Sequence, residues 1–226
     1  MVAPDRLVIL HAPSYGPRFD LNTIRTAEET DADSIGYSEA YKVAAALPAR
    51  PKYSALVGHS FVDTRLVKSP MGDAGDNPIA VSRRHEHHRG RVFKANDPGH
   101  PIKYAPERYV YAVDYRWAGV KVCHISAHPS PLVVGIVPWR AVMRVVAREV
   151  QAAKDRGCYV VVTGDLNARL MATRALKSCG LKVWRDRIDF IGYDPRLLLV
   201  SRRTFRPAGV DHNWMLGTFI VNGGGR

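Results

Sequence analysis

Apolar residues recur along this chain at two spacings, and the switches between them divide it into elements. Between residues 138 and 157, Trp139, Val142, Val146, Val150 and Ala153 follow one another at steps of three and four. That spacing lines one face of a helix and leaves Arg140, Arg144, Arg148 and Lys154 mostly elsewhere. Pro138 suits the helix start and Gly157 its C-terminal cap. Directly afterwards, residues 158–163 form a β-branched run too apolar to be exposed on both faces, which predicts a central strand ending at Gly164. A second helix is expected over residues 171–178, closed by Gly180. A polar helix is expected over 23–31, with Asn22 or Asp20 as cap.

Shorter runs read as strands: residues 6–11, 34–38, 79–82, 109–115, 120–125, 181–184, 188–191 and 214–221. Turn-rich gaps occupy residues 69–79 and 96–106. No long repeat is present. Strands alternating with helices around a strand-rich middle argue for an α/β layered architecture.

Composition narrows this further. With 226 residues and 46% hydrophobic content, the chain can bury one substantial core. A single domain over residues 1–222 is expected, followed by a flexible tail at 223–226. The longest apolar stretch, residues 132–139, is broken by Gly135 and Pro138 and falls short of the roughly 18 to 20 residues of a membrane span. The first ten residues lack the basic start and apolar core of a secretory signal, so a cytoplasmic protein without membrane contact is expected, a monomer by preference. Cys123, Cys158 and Cys179 lie in apolar runs without paired ligand spacing and read as small buried hydrophobes.

A net charge of +12, with arginine outnumbering lysine, attracts polyanions, and the arginine fork suits bidentate phosphate contact. Candidate chemistry concentrates where strands end. Asp165 and Asn167 follow the most apolar strand, and a carboxylate and an amide two residues apart can hold a water and a phosphate oxygen side by side. Glu39 closes another apolar strand and offers the hard oxygen that Mg2+ prefers. His128 ends the run that contains His124, which reads as a packed histidine. Asp211-His212 precedes the last strand, and Asp189, interrupting an apolar strand, is the candidate carboxylate to orient His212. His85-Glu86-His87-His88 lacks metal-ligand spacing and reads as a solvated loop. Arg108 is a candidate phosphate contact.

In order, these motifs resemble the endonuclease/exonuclease/phosphatase family over nearly the whole chain. Asp33-Ser34-Ile35-Gly36-Tyr37-Ser38-Glu39 is similar to the first acidic motif, and Gly164-Asp165-Leu166-Asn167 to the Gly-Asp-Phe-Asn motif. Arg187-Ile188-Asp189-Phe190-Ile191 is similar to the Asp-Tyr-Ile strand, and Val210-Asp211-His212 to the terminal Ser-Asp-His motif. Ala127-His128-Pro129-Ser130-Pro131 resembles the histidine motif of pancreatic-type deoxyribonucleases.

The resemblance implies a four-layered α/β sandwich, two mainly antiparallel β-sheets face to face flanked by helices, with the site at one edge. It implies Glu39 on a divalent metal, Mg2+ or Mn2+, assisted by Asp211. Asp165 and Asn167 would align water and a phosphate oxygen, His212 with Asp189 would handle a proton, and His128 would serve the leaving oxygen. The implied activity is metal-dependent phosphodiester hydrolysis, with DNA as the leading substrate. A phosphomonoesterase, a lipid phosphodiesterase and a catalytically silent nucleic-acid-binding module are the alternatives. The chain departs from the family at three places: His11 stands where an asparagine is usual, Ser38 replaces a glutamine and Val210 a serine. As a softer ligand, His11 would favour Mn2+.

Overall fold

The computed structural model describes residues 5–13, 21–38, 59–62, 66–67, 74–75, 77–86, 90–95 and 108–221. The strands among them are β1 (Leu7–Pro13), β2 (Ser34–Ser38), β3 (His59–Val62), β4 (Leu66–Val67), β5 (Ala74–Gly75), β6 (Ile79–Ser82), β7 (Arg91–Lys94), β8 (Tyr109–Trp117), β9 (Val120–Ala127), β10 (Tyr159–Asp165), β11 (Lys182–Asp186), β12 (Asp189–Tyr193), β13 (Leu197–Phe205) and β14 (Trp214–Val221). The helices are α1 (Leu21–Glu28), α2 (Ile136–Asp155) and α3 (Arg169–Ser178). None of these is long and apolar enough to cross a membrane.

Two six-stranded sheets are ordered β13-β14-β1-β2-β6-β3 and β11-β12-β10-β9-β8-β7. Each sheet is antiparallel except for one parallel pair, β1 with β2 and β9 with β10. Parallel neighbours need a crossover long enough to return the chain to the same end of the sheet. Here α1 lies between β1 and β2 in the chain, and α2 between β9 and β10.

The layers follow from strand alternation, since successive side chains point to opposite faces. On β1, Leu7 and Ile9 enter the apolar core shared by the sheets, whereas Leu10 and Ala12 pack with Ile24 and Ala27 of α1. On β10, Val161 faces the other sheet, while Val160 and Val162 meet Trp139, Val142, Val146 and Val150 of α2. Both faces of β10 are covered, which accounts for its unbroken apolar run. The order is therefore α1, sheet, sheet, α2 with α3, the expected four-layered sandwich.

Several elements differ from the sequence reading at their ends. The helix α2 begins at Ile136 rather than at Pro138, which sits inside its first turn, where a missing N–H costs nothing. Strand β13 is absent from that reading because its nine residues mix apolar and basic positions and are mostly exposed. An edge strand of that kind lacks the apolar alternation by which strands are recognised. Strand β7 begins where a charged stretch ends. Its Arg91 is half-buried and, with Arg156, holds the buried carboxylates of Asp114 and Glu149 under α2, at 2.7 to 3.1 Å. Buried acids persist when paired in this way.

Candidate active site

The alternation that builds the core also builds the site. Inward positions run from apolar to polar along the gap between the sheets. Leu7, Ile9, Val122, Val161, Ile191 and Tyr193 fill one end. Continuing each strand by twos reaches His11 on β1, Gly36 and Ser38 on β2, His124 and Ser126 on β9, Thr163 and Asp165 on β10, and Asp189 on β12. Asp165 and Asp189 are register partners across the antiparallel β10/β12 pair, so two carboxylates stand side by side at the mouth.

Asp189 is held from both sides. His212 Nδ1 lies 3.0 Å from Asp189 Oδ2, and His11 Nε2 lies 3.0 Å from Asp189 Oδ1. His212 precedes β14, and His11 pairs in register with Met215 of that strand, so both histidines come from one sheet and the carboxylate from the other. Burial pushes the Asp189 carboxyl up, but the hydrogen bonds from His11 and His212 outweigh it and leave the group below its ordinary value. The same bond to Asp189, against the opposing effect of burial and with the charges of Asp189, Asp165 and Asp211 adding to it, raises His212 to about 9. An imidazole fixed at Nδ1 by a carboxylate keeps Nε2 for a reacting group.

Asp165 is in a different position. Its Oδ2 is 4.0 Å from His212 Nδ1, too far for a hydrogen bond, and its Oδ1 accepts the Asn167 backbone N–H at 3.0 Å. Burial and the Asp189 charge raise it above the ordinary carboxyl value, although the histidines His128 and His212 pull the other way. Asn167 adopts φ +52°, which asparagine tolerates better than most residues, and its Nδ2 donates to the Pro129 carbonyl at 2.9 Å. The Trp139 indole N–H donates to the Leu166 carbonyl at 2.7 Å, tying the turn between Asp165 and Asn167 to α2. On the other side, Arg108 Nη1 lies 2.9 Å from His128 Nδ1. A guanidinium only donates, so Nδ1 accepts and the proton of a neutral His128 ring sits on Nε2.

Asp165, Asn167, Asp189, His212, His128 and Arg108 thus gather at one end of the sandwich. His11 joins them from within the gap. It is fully buried, and both ring nitrogens are engaged, Nε2 by Asp189 and Nδ1 by the Gly36 carbonyl at 3.3 Å. In this placement His11 holds the Asp189 carboxylate from the side opposite His212. Asp211 is exposed and acts on His212 through its charge. Glu39 lies outside the described residues.

Among the described residues, the one group with metal-ligand spacing is Asp165, Asp189 and His212, whose donor atoms lie within 4.8 Å of one another. The donor chemistry suits a hard divalent cation at Asp165: its buried carboxylate has no cationic hydrogen-bond partner among the described residues, His212 standing 4.0 Å away, and an ion beside it would stabilise its charge. Asp189 is already balanced by two imidazoles.

The positioning residues are not apparent from the sequence. Ser38 Oγ lies 3.4 Å from the Asp165 backbone N–H, and Trp139 and Pro129 set the turn at Asn167. A buried tryptophan in need of an acceptor for its N–H is the available signal for Trp139. Parity along β1 and β12 is the signal that His11 and Asp189 share the gap.

No family model matches the chain, and no curated protein matches it. Solved structures do. An endonuclease/exonuclease/phosphatase from Beutenbergia cavernae DSM 12333 superposes with a TM-score of 0.75 at 14% identity, over 97% of this chain and 72% of that one. ANGEL2, a 2',3'-cyclic phosphatase, gives 0.76 at 10% identity over 96% of both chains. TDP2 of D. rerio, complexed with single-strand DNA product, gives 0.72 at 13% identity over 95% of this chain and 98% of that one. This chain has the endonuclease/exonuclease/phosphatase fold.

Proposed function

We propose that this protein is a divalent-metal-dependent phosphoester hydrolase of the endonuclease/exonuclease/phosphatase family, and that it cleaves phosphodiester bonds of nucleic acid, DNA foremost. The observation that carries this reading is the convergence of Asp165, Asp189 and His212 from two sheets at one mouth, with Asn167 and His128 beside them. A phosphodiester repels anionic nucleophiles, so hydrolysis needs charge neutralisation and a positioned base.

Asp165, together with Glu39, would hold the cation, which when bound neutralises charge on the phosphate. Asp165 and the Asn167 amide orient the attacking water and a phosphate oxygen. Asp189 fixes His212 at Nδ1, so that Nε2 exchanges the proton at the reacting centre. His128, with Nδ1 occupied by Arg108, offers Nε2–H to the leaving oxygen, and Arg108 contributes positive charge to the phosphate. The net charge of +12 favours a polyanion over a small ester. Mg2+ is the expected ion, because the donor set is carboxylate-rich.

The test is cleavage of plasmid DNA, single-stranded RNA and a small phosphate diester by the purified protein in Mg2+, in Mn2+ and in excess chelator. DNA cleavage restored by metal and abolished by chelator supports the proposal. Cutting that persists undiminished in chelator refutes it, and turnover of the small ester alone moves the assignment to a small-molecule esterase.

A further inference from the structure

Strands β11 and β13 are the outer strands of their sheets on the same side of the sandwich, each paired on one side only among the described residues. Between them lies an open cavity of about 540 Å3, lined by Arg169, Arg185, Arg187, Arg202, Trp184 and Tyr193, among others. Two of its arginines neighbour residues of the mouth in the chain. Arg169 follows Asn167 by two residues, and Arg187 precedes Asp189 by two in the β11/β12 hairpin.

The arginines here differ from those elsewhere. Arg84, Arg91, Arg156 and Arg196 are each bound to carboxylates at 2.6 to 3.1 Å and serve the fold. None of Arg169, Arg185, Arg187 and Arg202 has an ion pair among the described residues. The acid in the groove wall, Asp186, accepts a hydrogen bond from Asn213 Nδ2 at 2.7 Å. Arg169, Arg187 and Arg202 are exposed, and Arg185 and Trp184 are half-buried. Four such guanidiniums lining one groove with Trp184 and Tyr193 match a ligand that alternates phosphates with flat rings.

On the reading that the mouth cleaves nucleic acid, we infer that this groove is a second binding site, which takes the single-stranded segment adjoining the scissile phosphate. Its guanidiniums contact successive phosphates and Trp184 supports a base. The site adds affinity and directionality at a distance from the reacting atoms.

The test uses the full chain in excess chelator, so that binding is read without cleavage. Fluorescein-labelled oligo(dT) is titrated against the wild type, against Arg185→Gln/Arg202→Gln, and against Arg174→Gln, which removes one exposed charge on α3 outside the groove. The double variant is expected to bind at least tenfold more weakly, and its salt slope to fall by about 0.7 for each phosphate no longer neutralised. Arg174→Gln is expected to bind like the wild type. Equal affinity and equal slope for the double variant overturn the proposal, as does displacement of oligo(dT) by polyglutamate at matched charge, which would reduce the groove to an acidic-partner surface. Groove-dependent binding by a protein that hydrolyses no phosphodiester in any metal leaves this site standing and removes the catalytic reading. Metal-dependent hydrolysis with groove-independent binding does the reverse.

Discussion

Two polar layers occupy the gap between the sheets on neighbouring strands, and each contains a fully buried histidine. In the inner layer, His124 meets only hydroxyls: Ser34 Oγ at 2.9 Å, itself 3.0 Å from the Tyr115 hydroxyl, and Thr163 Oγ1 at 2.8 Å. Hydroxyls donate or accept as required, so a neutral ring is satisfied, and burial takes His124 down to about 3. In the outer layer, His11 and His212 meet the carboxylate of Asp189, and His212 rises to about 9 instead. Burial among hydroxyls lowers His124, whereas a carboxylate partner raises the half-buried His212, so partner and burial together set the two apart. The inner layer joins strands of both sheets, and the outer one stands at the mouth.

The comparison breaks most severely at its carboxylate. Asp189→Asn removes the charge and leaves one acceptor oxygen for two histidines, and it is expected to lower turnover about 10²- to 10⁴-fold, with the melting temperature of the folded protein as the control. His11→Ala releases one side of that carboxylate without touching the other. Its expected loss is smaller, about 10- to 100-fold by analogy with residues that orient a functional group from behind, and steady-state kinetics should place it in kcat rather than KM.

Titration sharpens the contrast. In wild-type protein, His212 is expected to titrate near 9 by NMR, and in Asp189→Asn to move back toward 6.5. Because its folded value lies above the unfolded one, its contribution to stability is complete below 6.5 and is lost as pH rises through about 9. His124 has the opposite sign. With a folded value near 3, it stays neutral while the unfolded ring takes up a proton, so stability falls as pH drops from 6.5 toward 3. Acid melting curves of wild type and His124→Leu, compared across that window, test this. The smallest effect is that of His124→Leu at neutral pH: two hydroxyls lose their partner, at a cost of about 1–3 kcal/mol. A turnover per folded molecule far below wild type in this variant would remove the distinction between the layers.

Much of this arrangement is legible in the sequence. Strand β2, strand β14 and the body of α2 stand where their apolar spacing puts them, because each buries a full face. His124 is readable as a packed histidine from its place inside a strand. Asp165, Asn167, Asp189 and His212 can be singled out because polar residues at the ends of apolar strands are costly without a purpose. The contact of His11 with Asp189 is not legible, because it depends on which strand of the opposite sheet His11 faces. That pairing joins residues 178 positions apart and has no local signature. The groove arginines of β11 and β13 are equally opaque, since in sequence they are indistinguishable from Arg91 and Arg156, which sit in ion pairs.

Gly36 lies between the two layers. Its carbonyl accepts from His11, and a Cβ built on it would overlap Thr163 Oγ1 and press on His124. The gap at this point is therefore set by bare main chain, which has no rotamers through which to drift. A reaction centre whose halves hang from separate sheets inherits that stiffness, and its tolerance for heat is the tolerance of the seam. Parting the sheets at this seam would take Asp189 from His11 and His212 together, since the carboxylate hangs from one sheet and its partners from the other.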